Sequence, residues 1–340
     1  MQFLRNCDLK EFNTFHLSAL AKWFSVFRSE DELMEILSSR EFKSENPFVL
    51  GGGSNILLMG DLNAFVLKNE ILGKEVIRET EEHYFVRVGA GELWHDFVAW
   101  CIGYNMAGLE NLSLIPGRVG ASPMQNIGAY GVELKDVFHE LEAIEILSGQ
   151  KRVFSAEDCR FGYRESVFKN EEKGKYIINR VIFRLNKKPV FKIAYGAIES
   201  ELERMKVSEL SISAISEAVI RIRRSKLPDP SVLGNAGSFF KNPEISKEQF
   251  TSLKNQFPQL VSFPLENGNY KLAAGWLIEH AGLKGYRHND AGVHELQALV
   301  IVNYGNASGK QLFELSDYVL SKVHQKFGVT LEREVNIVRW

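Results

Sequence analysis

The first half of the chain alternates short apolar segments with one amphipathic segment that carries a helix-start signal. A capping box at Ser29–Glu32, followed by apolar positions at Leu33 and Ile36, predicts a helix over residues 29–38. The apolar or alternating runs around it predict strands and one further helix. The strands are expected over 48–50, 63–67, 76–77, 84–88, 141–147, 151–154 and 177–185, and the helix over 93–102.

Two pairs of these strands are predicted to form hairpins. Residues 79–82 separate the first pair and Ser148-Gly149-Gln150 separates the second, and polar or glycine-containing linkers of this length are typical of hairpin turns. The strand 177–185 is expected to be half-buried, because Val181 and Phe183 alternate with arginines. The first half is therefore predicted to mix strands and helices.

The polar run 186–189 indicates a domain boundary, and the second half of the chain begins after it. Ile215, Val219 and Ile222 share one helix face, and the prolines that follow end this helix. Further helices are predicted over 271–280 and 311–327, and strands over 296–302 and 331–338. The predicted fold class is α+β throughout, with no internal repeat.

Composition narrows the class of protein. The 340 residues suffice for two or three domains, and 45% apolar with 25% charged residues is an ordinary globular balance. With a formal net charge of −2, the chain has no overall positive electrostatic field that would attract nucleic acid. Three dispersed cysteines predict neither a disulfide framework nor a paired metal site, and they favour a reducing cytoplasm. No signal peptide, membrane anchor or membrane-spanning run is expected.

The segment Leu233–Pro243 is the most informative in the chain. Its Gly-Asn-Ala-Gly run lets the backbone approach a ligand closely and then presents the hydroxyl of Ser238. The surrounding residues do not form the Gly-x-Ser-x-Gly pattern of a hydrolase nucleophile elbow. Ser238 is therefore a candidate functional residue outside that class.

A second glycine-rich loop, Gly51-Gly52-Gly53-Ser54-Asn55, follows an apolar run. No Gly-Lys-Ser/Thr completes a P-loop here, and Gly89-Ala90-Gly91 has Trp94 where a dinucleotide fingerprint has its third glycine. Two interpretations of the Gly51–Asn55 loop stay open. It is either a nest of backbone N–H groups for a pyrophosphate or a tight turn between strands.

A third loop, Pro116–Gly131, is long, rich in small residues and contains one charged residue, Arg118. It is either a buried packing loop or a cofactor loop, in which Gln125, Asn126 and Tyr130 are the candidate contacts. Buried backbone groups need partners, and a bound cofactor is one way to provide them. Three loops of this kind suggest a large ligand that carries phosphate.

Several charged residues are candidates of lower specificity. Arg160 and Arg164 flank an aromatic pair and are either surface residues in salt bridges or electrostatic catalysts. Lys226 is a candidate phosphate contact at the end of a basic helix. Glu332 and Glu334 are predicted to share one face of the last strand, where an exposed pair is the simpler interpretation. The histidines lack the spacing of metal ligands, so no metal is expected.

Taken in order, the motifs resemble those of the bacterial UDP-N-acetylenolpyruvoylglucosamine reductases over nearly the whole chain. The matching segments are Asn13-Thr14-Phe15, Gly51–Asn55, Ile115–Gly131, Arg160–Arg164, Lys226–Pro230, Gly234–Pro243, Ala273–Ile278 and Leu331–Val335. The segment Pro189–Tyr195 is similar to the longer subtype of that family, which carries a tyrosine loop over the substrate.

The resemblance implies an FAD-binding fold of the vanillyl-alcohol-oxidase type. Its two FAD-binding subdomains are expected at 1–70 and 71–186, followed by a C-terminal α+β substrate-binding domain at 187–340 whose last strand returns to the active site. FAD is expected to bind noncovalently, since the Gly51 loop contains neither histidine nor cysteine. The residues implied in FAD binding are Gly51, Gly52, Gly53, Ser54, Asn55, Pro116, Gly117, Gly120, Ala121, Ser122, Gln125, Asn126, Gly128, Ala129, Tyr130 and Gly131.

The implied reaction is the NADPH-dependent reduction of UDP-N-acetylglucosamine enolpyruvate to UDP-N-acetylmuramate, a step of peptidoglycan precursor synthesis. Hydride would pass from flavin N5 to the β-carbon of the enolpyruvyl group. By the same resemblance, Arg164 and Glu334 stabilise the enolate and Ser238 donates the proton to the α-carbon. The substrate-binding residues implied are Tyr163, Tyr195, Lys226 and Asn242, with Lys284 and Gln297 as weaker candidates.

Two other functions remain open at this point. One is an FAD-dependent oxidase or dehydrogenase of the same fold that acts on a sugar or an alcohol, because fold alone does not fix function. The other is a nucleotide-sugar binding protein without flavin. A cytoplasmic monomer that contacts neither nucleic acid nor membrane is the expected form.

Overall fold

A computed structural model describes residues 2–195 and 197–340 of the chain, which divide into two compact units. Unit 1 comprises residues 2–7, Ala21–Gly53 and Asn63–Ser225. Unit 2 comprises Asp8–Leu20, Ser54–Leu62 and Lys226–Trp340. The chain thus passes between the units several times, once within the Gly51–Asn55 loop. The division into three domains at 70 and 186 stays a prediction.

The described residues form strands and α-helices that are interspersed along the chain. The strands are β1 Leu4–Asp8, β2 Leu20–Phe27, β3 Pro47–Leu50, β4 Ile56–Leu58, β5 Leu62–Asn69, β6 Lys74–Glu79, β7 His83–Gly89, β8 Gly128–Ala129, β9 Val132–Glu133, β10 Phe138–Glu145, β11 Lys151–Ser155, β12 Tyr176–Asn186, β13 Gly234–Ser238, β14 Glu244–Ile245, β15 Ser262–Pro264, β16 Tyr270–Leu272, β17 Arg287–His288, β18 Ala291–Val293, β19 Val300–Asn303 and β20 Asn336–Val338. The α-helices are α1 Glu30–Ser38, α2 Arg40–Lys43, α3 Trp94–Gly103, α4 Ala156–Cys159, α5 Ile198–Arg204, α6 Ile212–Lys226, α7 Lys247–Gln256, α8 Ala274–His280 and α9 Gly309–Phe327.

The larger sheet of unit 1 has five strands in the order β11-β10-β12-β7-β6. Both predicted hairpins are confirmed, since β6 pairs antiparallel with β7 and β10 with β11. The half-buried character expected of 177–185 is wrong. The strand β12 lies at the centre of the sheet, and Ile177, Ile182 and Phe183 on it are all buried. Apolar side chains of β12 are buried on both faces of the strand. The alternation of apolar residues with arginine therefore holds only at positions 180 and 184.

The smaller sheet of unit 1 has the order β1-β2-β5-β3, with β3 parallel to β5. The predicted helix at 29–38 is confirmed as α1, because Ser29 Oγ accepts a hydrogen bond from the Glu32 N–H. Its apolar face packs on Phe27 and Phe65 of the sheet. The predicted helix at 93–102 is likewise present as α3.

The segment after the polar run at 186–189 also lies in unit 1, as far as Ser225. The predicted face Ile215, Val219 and Ile222 of α6 packs against α5 in one apolar cluster. Tyr130, from the long glycine-rich loop, packs against the same cluster. This segment therefore supports one end of that loop.

Unit 2 contains the sheet β13-β19-β18-β17, the sheet β14-β16-β15 and the parallel pair β20-β4. The long helix α9 carries a capping box at Ser308 and Gln311 and ends at Gly328 with φ +64°. Its buried face is formed by residues at helical spacing, among them Leu312, Val319 and Val323. The predicted helix at 311–327 is thus confirmed.

Three predicted elements of unit 2 have the wrong extent. Residues 270–272 form β16 and the helix begins at Ala274, because β16 completes a sheet with β14 and β15. The predicted strand 296–302 is confirmed only at 300–302, within β19, and the predicted strand 331–338 only at Asn336–Val338. Pairing with strands that are distant in sequence sets these limits, and the local apolar pattern does not reveal such pairing.

No helix formed by residues 2–195 or 197–340 combines the length and apolar character needed to cross a membrane.

Candidate functional site

Ser238 ends β13, immediately after an irregularity in the pairing of that strand with β19. Gly237 has φ +69°, a conformation that glycine adopts without a steric penalty. The Asn235 side chain accepts the Gly237 N–H at 2.9 Å, and the Phe239 N–H donates to Leu299 at 2.7 Å. The hydroxyl-bearing residue is thus fixed by backbone bonds on both sides.

Glu334 is held next to this turn through its backbone. Its N–H donates to the Phe239 carbonyl at 2.8 Å, and the Lys241 N–H donates to the Glu332 carbonyl at the same distance. Phe240 and Arg333 form the bridge between these two bonds. The residues 332–334 are therefore outside β20, and the structure brings the backbone of Glu334 beside that of Ser238 within unit 2.

The neighbours of Glu334 are anchored in different ways. Arg333 Nε donates to Ser316 Oγ at 2.7 Å, which ties the segment to α9. Glu332 is exposed and receives Lys241 Nζ at 2.6 Å. Asn55 Nδ2 donates to the Glu334 carbonyl at 3.4 Å, and the Asn55 carbonyl accepts the Asn336 N–H at 3.0 Å. A predicted cofactor residue and a predicted catalytic residue therefore share one contact network in unit 2.

The Asn13-Thr14-Phe15 motif supports the strand that carries Ser238. Asn13 is buried, and its side chain bonds Leu9 and both backbone groups of Leu17 at 2.7–3.0 Å. The turn so formed presents the Thr14 carbonyl to the Asn235 N–H at 2.9 Å. Gly234 lies so close to the Phe15 carbonyl that a side-chain carbon there would be 2.6 Å from its oxygen. The motif is a support for β13, a role that the sequence reasoning missed.

The prolines after Lys226 are fixed to the same strand. Asn235 Nδ2 donates to the Pro228 carbonyl at 3.2 Å, and His16 Nε2 lies 2.7 Å from the Pro230 carbonyl. Lys226 itself is the exposed last residue of α6. Pro228 and Pro230 therefore lie beside the segments that hold β13, the strand that ends at Ser238.

The remaining substrate candidates of unit 2 occupy two ends of one short helix. Asn242 Oδ1 accepts the Ala274 N–H at 2.9 Å, and a side-chain carbon at Gly275 would lie 3.1 Å from Gln297 Oε1. These contacts place Asn242 and Gln297 at the start of α8. Lys284 follows the helix and pairs with Glu279 at 2.8 Å. The structure brings the first two together and leaves Lys284 at the other end.

In unit 1, two of the glycine-rich loops touch each other. A side-chain carbon at Gly52 would lie 3.0 Å from the Gly117 Cα, and one at Gly51 would lie 3.7 Å from the Arg118 Cβ. The strand β3 before the Gly51 loop pairs with β5, whereas β4 after it pairs with β20, so the loop does not turn a hairpin. The small residues permit close backbone approach.

The Gly89-Ala90-Gly91 segment is a packing element beneath this loop pair. Side-chain carbons at Gly89 and Gly91 would collide with the backbone of residues 70–72. The Ala90 carbonyl accepts the Gly120 N–H at 2.9 Å. These glycines therefore serve in packing, which agrees with the prediction that they do not form a dinucleotide-binding fingerprint.

Asn126 joins the third loop to the arginine-containing turn. It is fully buried, and its Nδ2 donates to Glu133 Oε2 at 3.0 Å and to the Gly162 carbonyl at 2.9 Å, while its Oδ1 accepts the Lys135 N–H. Ser166 Oγ adds a bond of 2.7 Å to the Met124 carbonyl. The predicted contact between Asn126 and a cofactor stays a prediction, since these bonds give the amide a structural role.

Arg164 lies in a tight turn that Gly162 and Glu165 close through paired backbone hydrogen bonds. Its φ of +56° is unusual for a residue other than glycine and marks a conformation imposed by the surroundings. The guanidinium donates to the Gly128 carbonyl, and its Cζ lies 5.3 Å from the Tyr163 ring centre. The structure thus brings Arg164, Tyr163 and Gly128 together in unit 1.

Tyr130 and Tyr195 are neighbours at the other end of the third loop. A side-chain carbon at Gly131 would lie 3.3 Å from the Tyr195 Cβ. Burial raises the pKa of the Tyr130 hydroxyl, and a hydrogen bond with Arg223 opposes that rise. Asn111 Nδ2 fixes the Tyr130 carbonyl at 2.9 Å and the Lys192 carbonyl at 2.7 Å, so it holds the Tyr195 segment to the loop.

A charged residue that the sequence reasoning missed lies under the Gly51 loop. Lys68 has 7% of its surface exposed, and its Nζ donates to the Gly51 carbonyl at 3.2 Å. Burial lowers the pKa of the Lys68 amine, and the positive charge of Arg118 lowers it further. A lysine within the apolar run of β5 was the available signal. The loop pair therefore carries two cations.

Among the described residues 2–195 and 197–340, no group of three or more histidine, cysteine, aspartate or glutamate side chains could hold a metal ion.

Similarity to known proteins covers the whole chain. A family model for an FAD binding domain matches residues 22–152, and one for the C-terminal domain of UDP-N-acetylenolpyruvoylglucosamine reductase matches residues 229–338. A UDP-N-acetylenolpyruvoylglucosamine reductase of Flavobacterium johnsoniae is 48% identical over 339 residues, which are 99% of this chain and 100% of that protein. One of Amoebophilus asiaticus is 49% identical and covers both chains fully.

A solved structure shares the fold. The crystal structure of UDP-N-acetylenolpyruvylglucosamine reductase from Thermus caldophilus matches with a TM-score of 0.67 at 24% identity, over 99% of this chain and 98% of the other. The predicted fold class, an α+β FAD-binding fold with a C-terminal α+β domain, is confirmed. From the sequence identity over its full length, the chain belongs to the UDP-N-acetylenolpyruvoylglucosamine reductase family.

Proposed function

We propose that the protein reduces the enolpyruvyl group of UDP-N-acetylglucosamine enolpyruvate to give UDP-N-acetylmuramate, with FAD as cofactor and NADPH as the source of electrons. The observation that carries this proposal lies in unit 2. A hydroxyl-bearing turn at Ser238 and the backbone of Glu334 are joined by a hydrogen bond at Phe239, in a chain of this reductase family.

The loops of unit 1 fit FAD. Gly51–Gly53 and Gly117–Ala121 approach each other through small residues, and Lys68 and Arg118 place positive charge beside them. Backbone N–H groups and cations of this kind are suited to a pyrophosphate. When bound, FAD supplies the two-electron chemistry, accepting hydride from NADPH and delivering it to the enolpyruvyl β-carbon.

The proposed FAD-binding residues comprise the predicted members of these loops. They are Gly51, Gly52, Gly53, Ser54, Asn55, Pro116, Gly117, Gly120, Ala121, Ser122, Gln125, Asn126, Gly128, Ala129, Tyr130 and Gly131. The absence of histidine and cysteine from the Gly51 loop supports noncovalent binding.

Ser238 is proposed to protonate the substrate α-carbon. Addition of hydride to the β-carbon leaves negative charge on the α-carbon and its carboxylate, and this carbanion is a strong base. A serine hydroxyl is a poor acid in water, so it must be positioned directly beside the carbanion to donate its proton. The backbone bonds around Gly237 and Phe239 support such positioning.

Arg164 and Glu334 are proposed to stabilise the enolate. The guanidinium provides positive charge and N–H donors for the developing carboxylate charge. A deprotonated Glu334 would oppose that charge, so its part in the reaction requires a shared proton or an orienting hydrogen bond. The contact of Asn55 with the Glu334 carbonyl supports a fixed position for this residue.

The substrate itself is proposed to contact Tyr163, Tyr195, Lys226 and Asn242, with Lys284 and Gln297 as weaker candidates. The exposed position of Lys226 supports a contact with the diphosphate. The joint position of Asn242 and Gln297 at the start of α8 supports a common part in binding. The pairing of Lys284 with Glu279 makes it the weakest of the set.

Three further features are proposals. The chain is proposed to comprise FAD-binding subdomains at 1–70 and 71–186 and a substrate-binding domain at 187–340. It is proposed to act as a cytoplasmic monomer, with no nucleic-acid or membrane partner. Sedimentation of the purified protein would test the oligomeric state.

An anaerobic absorbance titration tests the function. Added NADPH should bleach the visible flavin band, and added UDP-N-acetylglucosamine enolpyruvate should restore it. Bleaching without restoration would overturn the proposed substrate. Rapid turnover of oxygen with a sugar alcohol, in the absence of NADPH, would instead support an oxidase of the same fold. Purified protein that neither contains nor binds flavin would overturn the flavoenzyme proposal.

A further inference from the structure

A buried amide in unit 1 has no hydrogen-bond partner among the described residues. Asn179, on β12, is 1% exposed, and both its Nδ2 and its Oδ1 lack a partner. A buried polar group without a hydrogen bond is costly, and in native proteins such a group calls for an explanation. An asparagine that met no polar group would be less favourable here than an apolar residue of similar size.

Asn179 lies at an irregularity of the central strand. The register between β10 and β12 shifts from the pair Glu142 and Arg180 to the pair Ala143 and Ile178, so Asn179 is the extra residue. Such bulges redirect a side chain and occur often beside functional sites. The strand thus departs from regular pairing at the same residue whose amide lacks a partner.

The backbone around Asn179 leads directly to the glycine-rich loops. Its carbonyl accepts the Ala90 N–H at 2.8 Å, and the Ala90 carbonyl accepts the Gly120 N–H at 2.9 Å. Gly120 and its neighbours up to Ser122 belong to the loop proposed to bind FAD. Asn179 is therefore two hydrogen-bonded steps from that loop.

An asparagine of the other sheet of unit 1, next to β12, shows what a structural amide looks like here. Asn69 is also buried, and its Nδ2 donates to the Ile178 carbonyl at 2.9 Å while its Oδ1 accepts the Ile71 N–H at 3.0 Å. The same residue type on β5 is thus satisfied by the protein, whereas Asn179 is not. The contrast argues that the Asn179 amide has a partner outside the chain.

We propose that the side-chain amide of Asn179 hydrogen-bonds bound FAD, at an edge where a donor and an acceptor lie side by side. Two edges of FAD have this chemistry: the imide edge of the isoalloxazine ring and the amino edge of the adenine. An amide offers the complementary acceptor and donor to either edge. This inference rests on the proposed FAD-dependent function.

The test is a comparison of Asn179→Leu with wild type, using flavin-free apoprotein. Leucine has a similar size and needs no partner, so the apoprotein should unfold at the same temperature as wild type or higher. The Kd for FAD, measured by quenching of flavin fluorescence, should rise about 10-fold, as expected for the loss of one or two hydrogen bonds. Asn179→Thr, which replaces the amide with a single hydroxyl, should fall between the two and serves if the leucine variant does not fold.

Asn69→Leu is the matched control, and it should show the opposite signature. It breaks two hydrogen bonds within the protein, so its apoprotein should unfold at a lower temperature. The visible spectrum then separates the two edges. A shift of the flavin band in Asn179→Leu loaded with FAD would indicate the isoalloxazine edge, and an unchanged band with weakened FAD binding would indicate the adenine edge.

Two results would overturn the inference. One is an Asn179→Leu protein that binds FAD as tightly as wild type, which would mean that the amide is satisfied by trapped water or is simply tolerated. The other is an apoprotein destabilised as strongly as Asn69→Leu, which would indicate a structural amide. If wild type itself bound no FAD, the proposed function would fail, and that outcome is distinct from both.

Discussion

The two units build their candidate sites from different materials. In unit 1, the glycine-rich loops use backbone and small residues: Gly52 approaches Gly117, and Gly120 lies against Ala90. Unit 2 uses side chains at positions fixed by backbone pairing, such as Ser238 and Glu334 around Phe239. A site made of close backbone approaches is sensitive to added atoms, whereas a site made of side chains is sensitive to removed ones. Substitutions that add an atom in unit 1 or remove one in unit 2 test this difference.

Two similar glycine-containing segments show why composition alone does not separate these cases. Gly89-Ala90-Gly91 lies against residues 70–72 and has a packing role, although the spacing invites a nucleotide-binding interpretation. Gly237, in contrast, has a positive φ and open space around it, and it turns the chain at Ser238. What distinguishes them is the neighbour in space, which the local sequence does not specify.

The largest effect on a reaction rate is expected from removing the hydroxyl of Ser238 in unit 2. Ser238→Ala should leave the bleaching of the flavin by NADPH unchanged and slow its reoxidation by the enolpyruvyl substrate about 10²–10⁴-fold, the usual contribution of a positioned acid. Stopped-flow absorbance under anaerobic conditions measures both steps separately. A matched control is Ser252→Ala on the exposed side of α7, which should change neither. Reoxidation of Ser238→Ala at the wild-type rate would exclude this serine as the proton donor.

Much of the candidate site could be predicted from the sequence, because its motifs carry unusual residue combinations. The Ser238 segment and the loops at 51–55 and 116–131 stand out in the sequence, and the structure places each in a turn or a close approach, while their roles in binding and catalysis stay predictions. Asn13, Asn111 and Lys68 were missed or left without a role, since their partners are backbone groups far away in sequence. A single buried polar residue in an apolar run was the sole local signal for Lys68.

The next effect concerns the support of the Ser238 strand. Asn13→Ala removes three hydrogen bonds and leaves buried backbone groups of Leu9 and Leu17 unpaired. The free energy of unfolding should fall by about 2–4 kcal/mol, measured by urea denaturation. Because the same turn holds Asn235, the substrate half-reaction should slow more than the NADPH half-reaction. Asn255→Ala, at an exposed position of α7, is the control and should change stability little.

An unchanged stability of Asn13→Ala would contradict the assigned support role. Equal slowing of both half-reactions would show that the motif stabilises the protein without positioning Ser238.

The fold could be predicted where local pattern and capping agree, as at α1, α9 and both hairpins. It could not be predicted where distant pairing decides. Lys271 and Leu272 belong to a strand because β14 and β15 lie on either side of β16. Residues 331–335 leave regular pairing because Arg333 bridges to Phe240 and bonds Ser316. These partners are set by the tertiary structure rather than by periodicity.

A smaller effect is expected from adding one carbon in unit 1. In Gly120→Ala the new methyl would lie 2.5 Å from the Ala90 Cβ, so the loop must shift. Overpacking of this kind costs about 1–3 kcal/mol, and the displaced loop should also bind FAD more weakly. Thermal unfolding with and without FAD measures both effects. Gly103→Ala is the control, since its added carbon meets no atom within 4 Å apart from its chain neighbours and the backbone of its own helix. FAD affinity that is unchanged in Gly120→Ala would contradict the proposed role of this loop.

The smallest expected effect is a pH dependence in unit 1. His95 Nδ1 accepts the Leu114 N–H at 3.0 Å, and burial, with Arg224 and Arg223 nearby, lowers the pKa of His95 below 6.5 against the opposing effect of Asp96. Since the unfolded chain then binds the proton more readily, this stabilisation is present above pH 6.5 and is lost as pH falls through the folded-state pKa. His95→Gln keeps an acceptor but does not titrate there, so it should lose less stability than wild type between pH about 7.5 and about 5.5. Urea denaturation at both pH values measures the difference. An identical loss in the two proteins would mean that the Leu114 contact does not depend on the neutral imidazole.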